Sequence, residues 1–221
     1  MKRYLTLFAI SMLIVSCADR ESYGNEFRLT EEFKDYWYSG KAEITTYDLE
    51  QSRYGELRKG TATLIYVTED FSASEQVKSS DESFNKVSVL KLNSTKNFNT
   101  GIYPYSIMQS SFFPLDGNEH ALKISTSVQE WCGQVYMQLN NREDFDITSH
   151  SYFAGEADQY LKLNPIQLEN EIWNLLRIDL DRVPVGSFKI LPSFEFLRLN
   201  HLPVSALNAE GQFLTSEQHH I

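Results

Sequence analysis

The sequence predicts a mainly β protein, an antiparallel barrel or strongly curved sheet with one amphipathic helix at about 164–177. Apolar and polar residues alternate with a period of two, most clearly in 122–128 and 134–139. Such segments recur at short spacing, which is typical of barrels. The 42% hydrophobic and 13% aromatic content is enough for one sizeable core. We therefore expect a single domain.

The alternating segments predict antiparallel strands with one buried face. In 122–128 the apolar residues and Thr126 fall on one parity, and in 134–139 the apolar residues share a face. Between them, 130–133 (Glu-Trp-Cys-Gly) predicts a hairpin connection or a bulge in which Gly133 supplies unusual dihedral angles. The remaining candidate strands are Tyr38–Leu49, Thr61–Thr68, Val87–Ser94, Ile102–Phe113, His150–Phe153 and Phe188–Leu199.

The predicted helix has a start signal and an apolar stripe. Asn164 stands at the N-cap, Pro165 at the first helical position, and Gln167 three residues after the cap. The residues at helical spacing are Leu168, Ile172, Leu175 and Leu176, with Trp173 widening the stripe. We expect the helix to pack against the sheet or to close one end of a barrel.

The N-terminus has the pattern of a secretory leader. Lys2 and Arg3 precede an apolar run over 4–15, which is shorter than the roughly 20 residues that cross a bilayer as a helix. Ile-Val-Ser-Cys at 14–17 resembles the lipobox of bacterial lipoproteins. This resemblance implies cleavage after Ser16 and modification of Cys17 by palmitate-like acyl chains, which together hold a protein firmly at a membrane. An ordinary secretory leader is the alternative.

The chain therefore divides into a signal peptide at 1–16, a lipidated polar tether at 17–33, one β-rich domain at 34–204 and a disordered tail at 205–221. Within the domain, 72–85 is expected to be an exposed loop. Ala18 is not the aspartate that retains enterobacterial lipoproteins at the inner membrane. We expect the protein in the cell envelope, with the outer membrane favoured. The sequence is compatible with attachment on the periplasmic side or on the surface side of that membrane.

Charge and cysteine content restrict the possible partners. The net charge is −10, and loss of Lys2 and Arg3 with the leader takes it to −12, so nucleic acid is not an expected partner. Acylation of Cys17 leaves Cys132 alone in the mature chain, which excludes an intramolecular disulfide. We expect Cys132 to be buried and inert. Pairing of this thiol with His120, His150 or His201 for catalysis is the alternative.

Few residues carry a signal for chemistry. Glu130 beside Trp131 could act as a glycosidase-type acid, but that reaction needs a second carboxylate at a defined distance. The acidic segment 142–146 fits a solvated turn better than a calcium loop, because the glycine and alternation of such a loop are missing. We expect no metal and no cofactor. Aromatic and neighbouring residues that could line a pocket for an apolar or glycan ligand are Trp37, Tyr103, Tyr105, Glu130, Trp131 and Cys132.

The leader and segments 36–43, 52–56, 99–106 and 125–133 make the chain similar to a group of uncharacterised Bacteroidota lipoproteins. Some members carry the label septum formation inhibitor Maf. That label belongs to an α/β nucleotide pyrophosphatase whose N-terminal Ser-x-Ser-Pro-Arg-Arg motif is absent here. The resemblance implies that the protein is a lipoprotein, and it does not indicate a particular activity.

These observations favour a binding or assembly module of the cell envelope, attached to the membrane through Cys17 and not an enzyme. A carboxylate-based envelope hydrolase is one alternative. A structural partner of an outer-membrane complex, in contact with another envelope protein, is the other.

Overall fold

The computed structural model describes residues 28–79 and 85–214. The predicted signal peptide, Ser16 and Cys17 lie outside the described residues, as do most of the predicted tether and the end of the predicted tail.

One large antiparallel sheet dominates the described part of the chain. It has nine strands in the order β1-β2-β4-β5-β6-β7-β8-β9, with β3 paired to β2. The strands are β1 Glu43–Arg53, β2 Glu56–Ser72, β3 Val77–Lys78, β4 Lys86–Thr100, β5 Tyr103–Pro114, β6 Lys123–Glu130, β7 Gly133–Asn141, β8 Phe145–Ser151 and β9 Gln159–Leu163. The prediction of a mainly β fold is confirmed. Among the described residues no sheet closes into the predicted barrel, because β1 and β9 are outer strands that do not pair with each other.

A small sheet and three helices complete the described fold. In the small sheet, β10 (Gln167–Leu168) pairs parallel to β11 (Gly186–Leu191), which pairs antiparallel to β12 (Leu207–Gly211). The helices are α1 Glu31–Trp37, α2 Glu169–Ile178 and α3 Phe194–Leu199, and a short 3-10 turn follows α2. Within the described residues, none of these helices has the length and apolar content needed to cross a membrane.

The predicted alternation of 122–128 and 134–139 is confirmed in β6 and β7. Ile124, Thr126 and Val128 are buried on one face of the sheet. The apolar residues of β7 are buried on the same face, and the main core joins this face to α2, α3 and β11. The opposite face carries mostly polar side chains, so burial on a single face explains the period of two.

The connection between β6 and β7 is the predicted hairpin, with Trp131 and Cys132 as its loop. The prediction for Gly133 is wrong, because this glycine does not have a positive φ. A Cβ atom at Gly133 would instead lie 2.6 Å from the ring of Tyr152. Glycine is therefore required here for the close approach of that ring.

The predicted helix begins later than the sequence indicates, at Glu169. Asn164 and Pro165 lie in the connection after β9, and Gln167 and Leu168 pair with β11 as a strand. The buried face of α2 is also partly polar: Glu171 and Asn174 are buried, while two members of the predicted stripe, Trp173 and Leu176, are exposed.

Other predicted boundaries change as well. The strand predicted at 188–199 is β11 followed by α3. The strand ends at Leu191, and Ser193 caps the helix by accepting a hydrogen bond from the Phe196 N–H. The predicted disordered tail contains β12. The predicted tether contains the first turn of α1, where Phe33 is buried against Trp37 and Tyr66. Segments 38–49 and 150–153 contribute to β1 and β8 with shifted ends.

The predicted loop at 72–85 is described except for 80–84. It contains β3 and the buried Gln76. The Gln76 side chain donates to the main-chain oxygen of Asn141, so this connection contacts the end of β7.

The carboxylate of Glu171 fixes the start of α2. It is fully buried and accepts hydrogen bonds from His120 Nδ1 (2.9 Å), the Ala121 N–H (2.8 Å), the Gln167 side chain (2.8 Å) and the Leu168 N–H (3.0 Å). One turn later, Asn174 accepts from the Ser111 hydroxyl and donates to the Leu90 carbonyl at 2.8 Å. These bonds tie the helix to β4, β5 and the connection before β6.

The Glu171 contact makes stability depend on pH. Burial lowers the pKa of His120. The hydrogen bond that His120 donates to Glu171 and the negative charge of Glu171 outweigh this effect, so the pKa of His120 is raised above 6.5. The contribution of protonated His120 to stability is therefore complete below pH 6.5 and is lost as the pH rises through the folded-state pKa. We expect His120→Gln to remove this loss. Urea unfolding at pH 5.5 and 8.5 measures it.

The matched control is His150→Gln, which removes an exposed pair with Asp158. It should leave the pH dependence close to that of the wild type. An unchanged pH dependence in His120→Gln would contradict the assignment.

Candidate binding cleft

A cleft of about 530 Å³ lies between one face of the large sheet and helices α2 and α3. This volume is within the range of roughly 300–1,000 Å³ found for small-molecule sites. The sheet contributes Tyr47, Gln51, Ala62, Leu64, Leu92, Ser94, Lys96, Gln109 and Ser111. The helices and the α3 cap contribute Glu169, Asn170, Trp173, Ser193, Glu195 and Phe196.

Three aromatic side chains face the cleft from three different elements. Tyr47 of β1 is 46% exposed, Trp173 of α2 51% and Phe196 of α3 44%. Within the described residues none of them has a ring contact with another aromatic side chain. Their apolar surface is therefore accessible to a ligand.

The polar wall of the cleft is a network of hydrogen bonds between strands and helices. Glu195 of α3 accepts from Lys96 Nζ at 2.8 Å and from the Gln109 side chain at 2.9 Å. The Gln109 amide oxygen in turn accepts from Asn170 of α2 at 2.9 Å. This hydrogen-bond network holds α2 and α3 at fixed positions over β4 and β5.

Strand register separates the apolar end of the cleft from its charged end. Along β4, the residues that face the helices are Leu92, then Ser94, then Lys96. The β2 partners are Tyr66 opposite Leu92, Leu64 opposite Ser94, and Ala62 opposite Lys96. The cleft is therefore apolar at the end formed by Leu92 and Leu64, and charged at the end where Lys96 pairs with Glu195. Ala62 leaves the space beside Tyr47 and Lys96 open.

None of the six residues predicted to line a pocket lines this cleft. Trp37 belongs to a second, smaller hydrophobic cluster, in which its ring lies 6.0 Å from that of Tyr66. Tyr105 is buried, stacks on Phe98 at 4.8 Å, and has its pKa raised to about 12 by burial and the hydrogen bond to Tyr54.

The other four predicted pocket residues do lie together, at the hairpin end of the sheet. The exposed rings of Tyr103 and Trp131 meet edge to face at 5.3 Å. Glu130 and Cys132 belong to the same hairpin as Trp131. The predicted acid, Glu130, accepts a hydrogen bond from the Cys132 N–H at 2.7 Å and so stabilises the turn.

The prediction that Cys132 is buried is wrong, since the thiol is free and exposed in the hairpin loop. Repulsion from the Glu130 carboxylate raises the pKa of this thiol, which disfavours the nucleophilic thiolate. The candidate imidazole partners have other contacts, because His120, His150 and His201 each bond a carboxylate. The catalytic alternative therefore gains no support from the described geometry.

The acidic segment 142–146 forms the turn before β8 and the start of that strand. Phe145 is buried and Asp146 pairs with Lys162 at 3.2 Å. In the part of the chain that the structure describes, no three His, Cys, Asp or Glu side chains are grouped so that they could hold a metal ion.

None of the cleft residues was identified as a site residue from the sequence, and Trp173 was expected only as part of the apolar stripe of the predicted helix. Lys96, Gln109 and Glu195 are far apart along the chain, and no local motif connects them. Comparison with known proteins gives no match to a protein-family model, a curated protein or a solved structure. The chemistry of the cleft itself is therefore the basis for a functional proposal.

The exposed position of Cys132 predicts its reactivity. We expect an uncharged alkylating reagent such as iodoacetamide to label Cys132 in the native protein without denaturant, and Cys132→Ser to lose that label. Glu130→Gln should increase the labelling rate at pH 7.5, because it removes the charge that raises the thiol pKa. Labelling that requires denaturant would contradict the exposed position.

Proposed function

We propose that this protein is a lipid-anchored binding module of the cell envelope, and that its cleft holds an amphiphilic small molecule. The observation that supports this most directly is the change in polarity along the cleft. An apolar segment of a ligand would lie against Leu64 and Leu92, and a polar group would lie toward the charged residues of the cleft, which are Lys96, Glu169 and Glu195.

We also propose that the large sheet curves around the two helices. The face that carries the buried residues of β6 and β7 also lines the cleft on β1, β2, β4 and β5. A sheet that curves in this way would enclose α2 and α3 on one side and leave a mouth near β1. Twisting of antiparallel strands produces such curvature.

Binding is favoured over hydrolysis by the state of the cleft carboxylates. Glu195 already accepts hydrogen bonds from Lys96 and Gln109. Glu169 accepts the Ser193 N–H at 2.8 Å, which caps the start of α3. Both carboxylates therefore have structural roles, and the hydrolase alternative lacks a pair of carboxylates free of such roles.

The cleft predicts a specific blocking substitution. Ala62→Trp places an indole ring in the space beside Tyr47 and Lys96. We expect it to weaken binding of the neutral fluorophore N-phenyl-1-naphthylamine by roughly tenfold or more, since a filled site loses its apolar contacts. Fluorescence titration measures this loss.

The matched control is Thr63→Trp, which carries the same side chain on the opposite face, where Thr63 meets Thr46. This variant should bind the fluorophore like the wild type. Equal affinity of Ala62→Trp and the wild type would exclude the cleft as the binding site.

The anchor gives a separate prediction. Cys17→Ser removes the thiol that the lipobox resemblance assigns to acylation. Labelling of the protein by radioactive palmitate should be lost, and the protein should move from the membrane fraction to the soluble fraction. Cys132→Ser is the control and should keep both properties. Continued labelling of Cys17→Ser would contradict the proposed anchor.

A further inference from the structure

The charges that surround the cleft do not balance. Lys96 is neutralised by Glu195 at 2.8 Å. Arg177, which lies near Tyr47, is neutralised by Glu43 at 3.1 Å. Glu169 lines the cleft, and none of the ion pairs in the described residues includes it. One negative charge is left without a partner.

Only one oxygen of Glu169 has a structural role. Oε2 accepts the Ser193 N–H at 2.8 Å, whereas Oε1 has no hydrogen bond among the described residues. Because Glu169 and Trp173 are four residues apart in α2, their side chains lie on the same face of the helix. A carboxylate oxygen and an exposed indole therefore border the same space.

The aromatic side chains add to the attraction for positive charge. The face of an aromatic ring is electrically negative and attracts ammonium groups. Arg or Lys side chains lie over several rings elsewhere in the described structure, but not over those of Tyr47, Trp173 or Phe196. The cleft thus combines an unpaired carboxylate with three rings that have no cation partner.

We infer that the ligand of the cleft carries an ammonium-type cation, which lies between Glu169 and the ring of Trp173 while the apolar part of the ligand covers Leu64 and Leu92. This inference rests on the proposed binding function. An anionic group would be repelled by Glu169 and Glu195. A neutral head would bury the Glu169 charge without compensation, which carries a desolvation cost.

The test compares head groups on one alkyl chain. Isothermal titration would use decyltrimethylammonium, decyl maltoside and decyl sulfate, each below its micelle concentration, and tetramethylammonium as a cation without a chain. We expect the decyl cation to bind roughly tenfold more tightly than the maltoside, and the sulfate to bind most weakly of the decyl compounds. Tetramethylammonium should bind far more weakly than the decyl cation.

Glu169→Gln should remove the preference for the cation, because it weakens binding of the decyl cation and removes the desolvation cost that opposes binding of decyl maltoside. The matched control is Glu50→Gln, which changes the net charge equally at an exposed position outside the cleft lining. It should keep the preference. Trp173→Leu, which retains an apolar side chain, should reduce the preference but not abolish binding.

The outcomes separate the two proposals. Equal affinity for the cationic and neutral decyl compounds, or a preference that survives in Glu169→Gln, would overturn the inference and leave the binding function intact. Failure of every decyl compound to bind would overturn the proposed function itself. Tetramethylammonium binding as tight as that of the decyl cation would show a small-cation site and exclude an amphiphile.

Discussion

The buried carboxylate of Glu171 determines where helix α2 lies. Glu171 belongs to the first turn of α2 and accepts hydrogen bonds from the connection before β6 and from β10, so three segments meet at this carboxylate. Breaking one side of such a buried network costs several kcal/mol, because the remaining polar groups lose their partners. This attachment therefore fixes the positions of Glu169 and Trp173 relative to the sheet. The open space of the cleft is a consequence of this attachment.

The pattern of burial in each element explains which part of the fold can be predicted from the sequence. The strands β6 and β7 have one apolar and one polar face, so alternation identifies them and their hairpin. Helix α2 buries Glu171 and Asn174, which an apolar stripe cannot indicate. Helix α3 is buried on nearly every side, so its apolar run, which lacks a helical period, resembles a strand. Closure of a sheet depends on its two outer strands, about which alternation carries no information.

The cleft was beyond sequence-based prediction for a related reason. Its side chains are brought together by strand register and by the positions of two helices, and not by a local motif. The predicted pocket residues were chosen for aromatic character, which in Trp37 and Tyr105 serves the core and in Tyr103 and Trp131 forms an exposed pair. The cleft differs from these residues in two ways. Within the described residues its aromatic rings have no aromatic or cationic partner, and one carboxylate oxygen of Glu169 accepts no hydrogen bond.

The central claim is that this cleft holds an amphiphile in the cell, and native mass spectrometry of the protein purified from its own membrane tests it most directly. The claim predicts a retained small molecule with an alkyl chain and a cationic nitrogen, present on the wild type and absent from Ala62→Trp. Retention of the same molecule by both proteins, or a wild-type protein that carries no small molecule or only a protein partner, would contradict it.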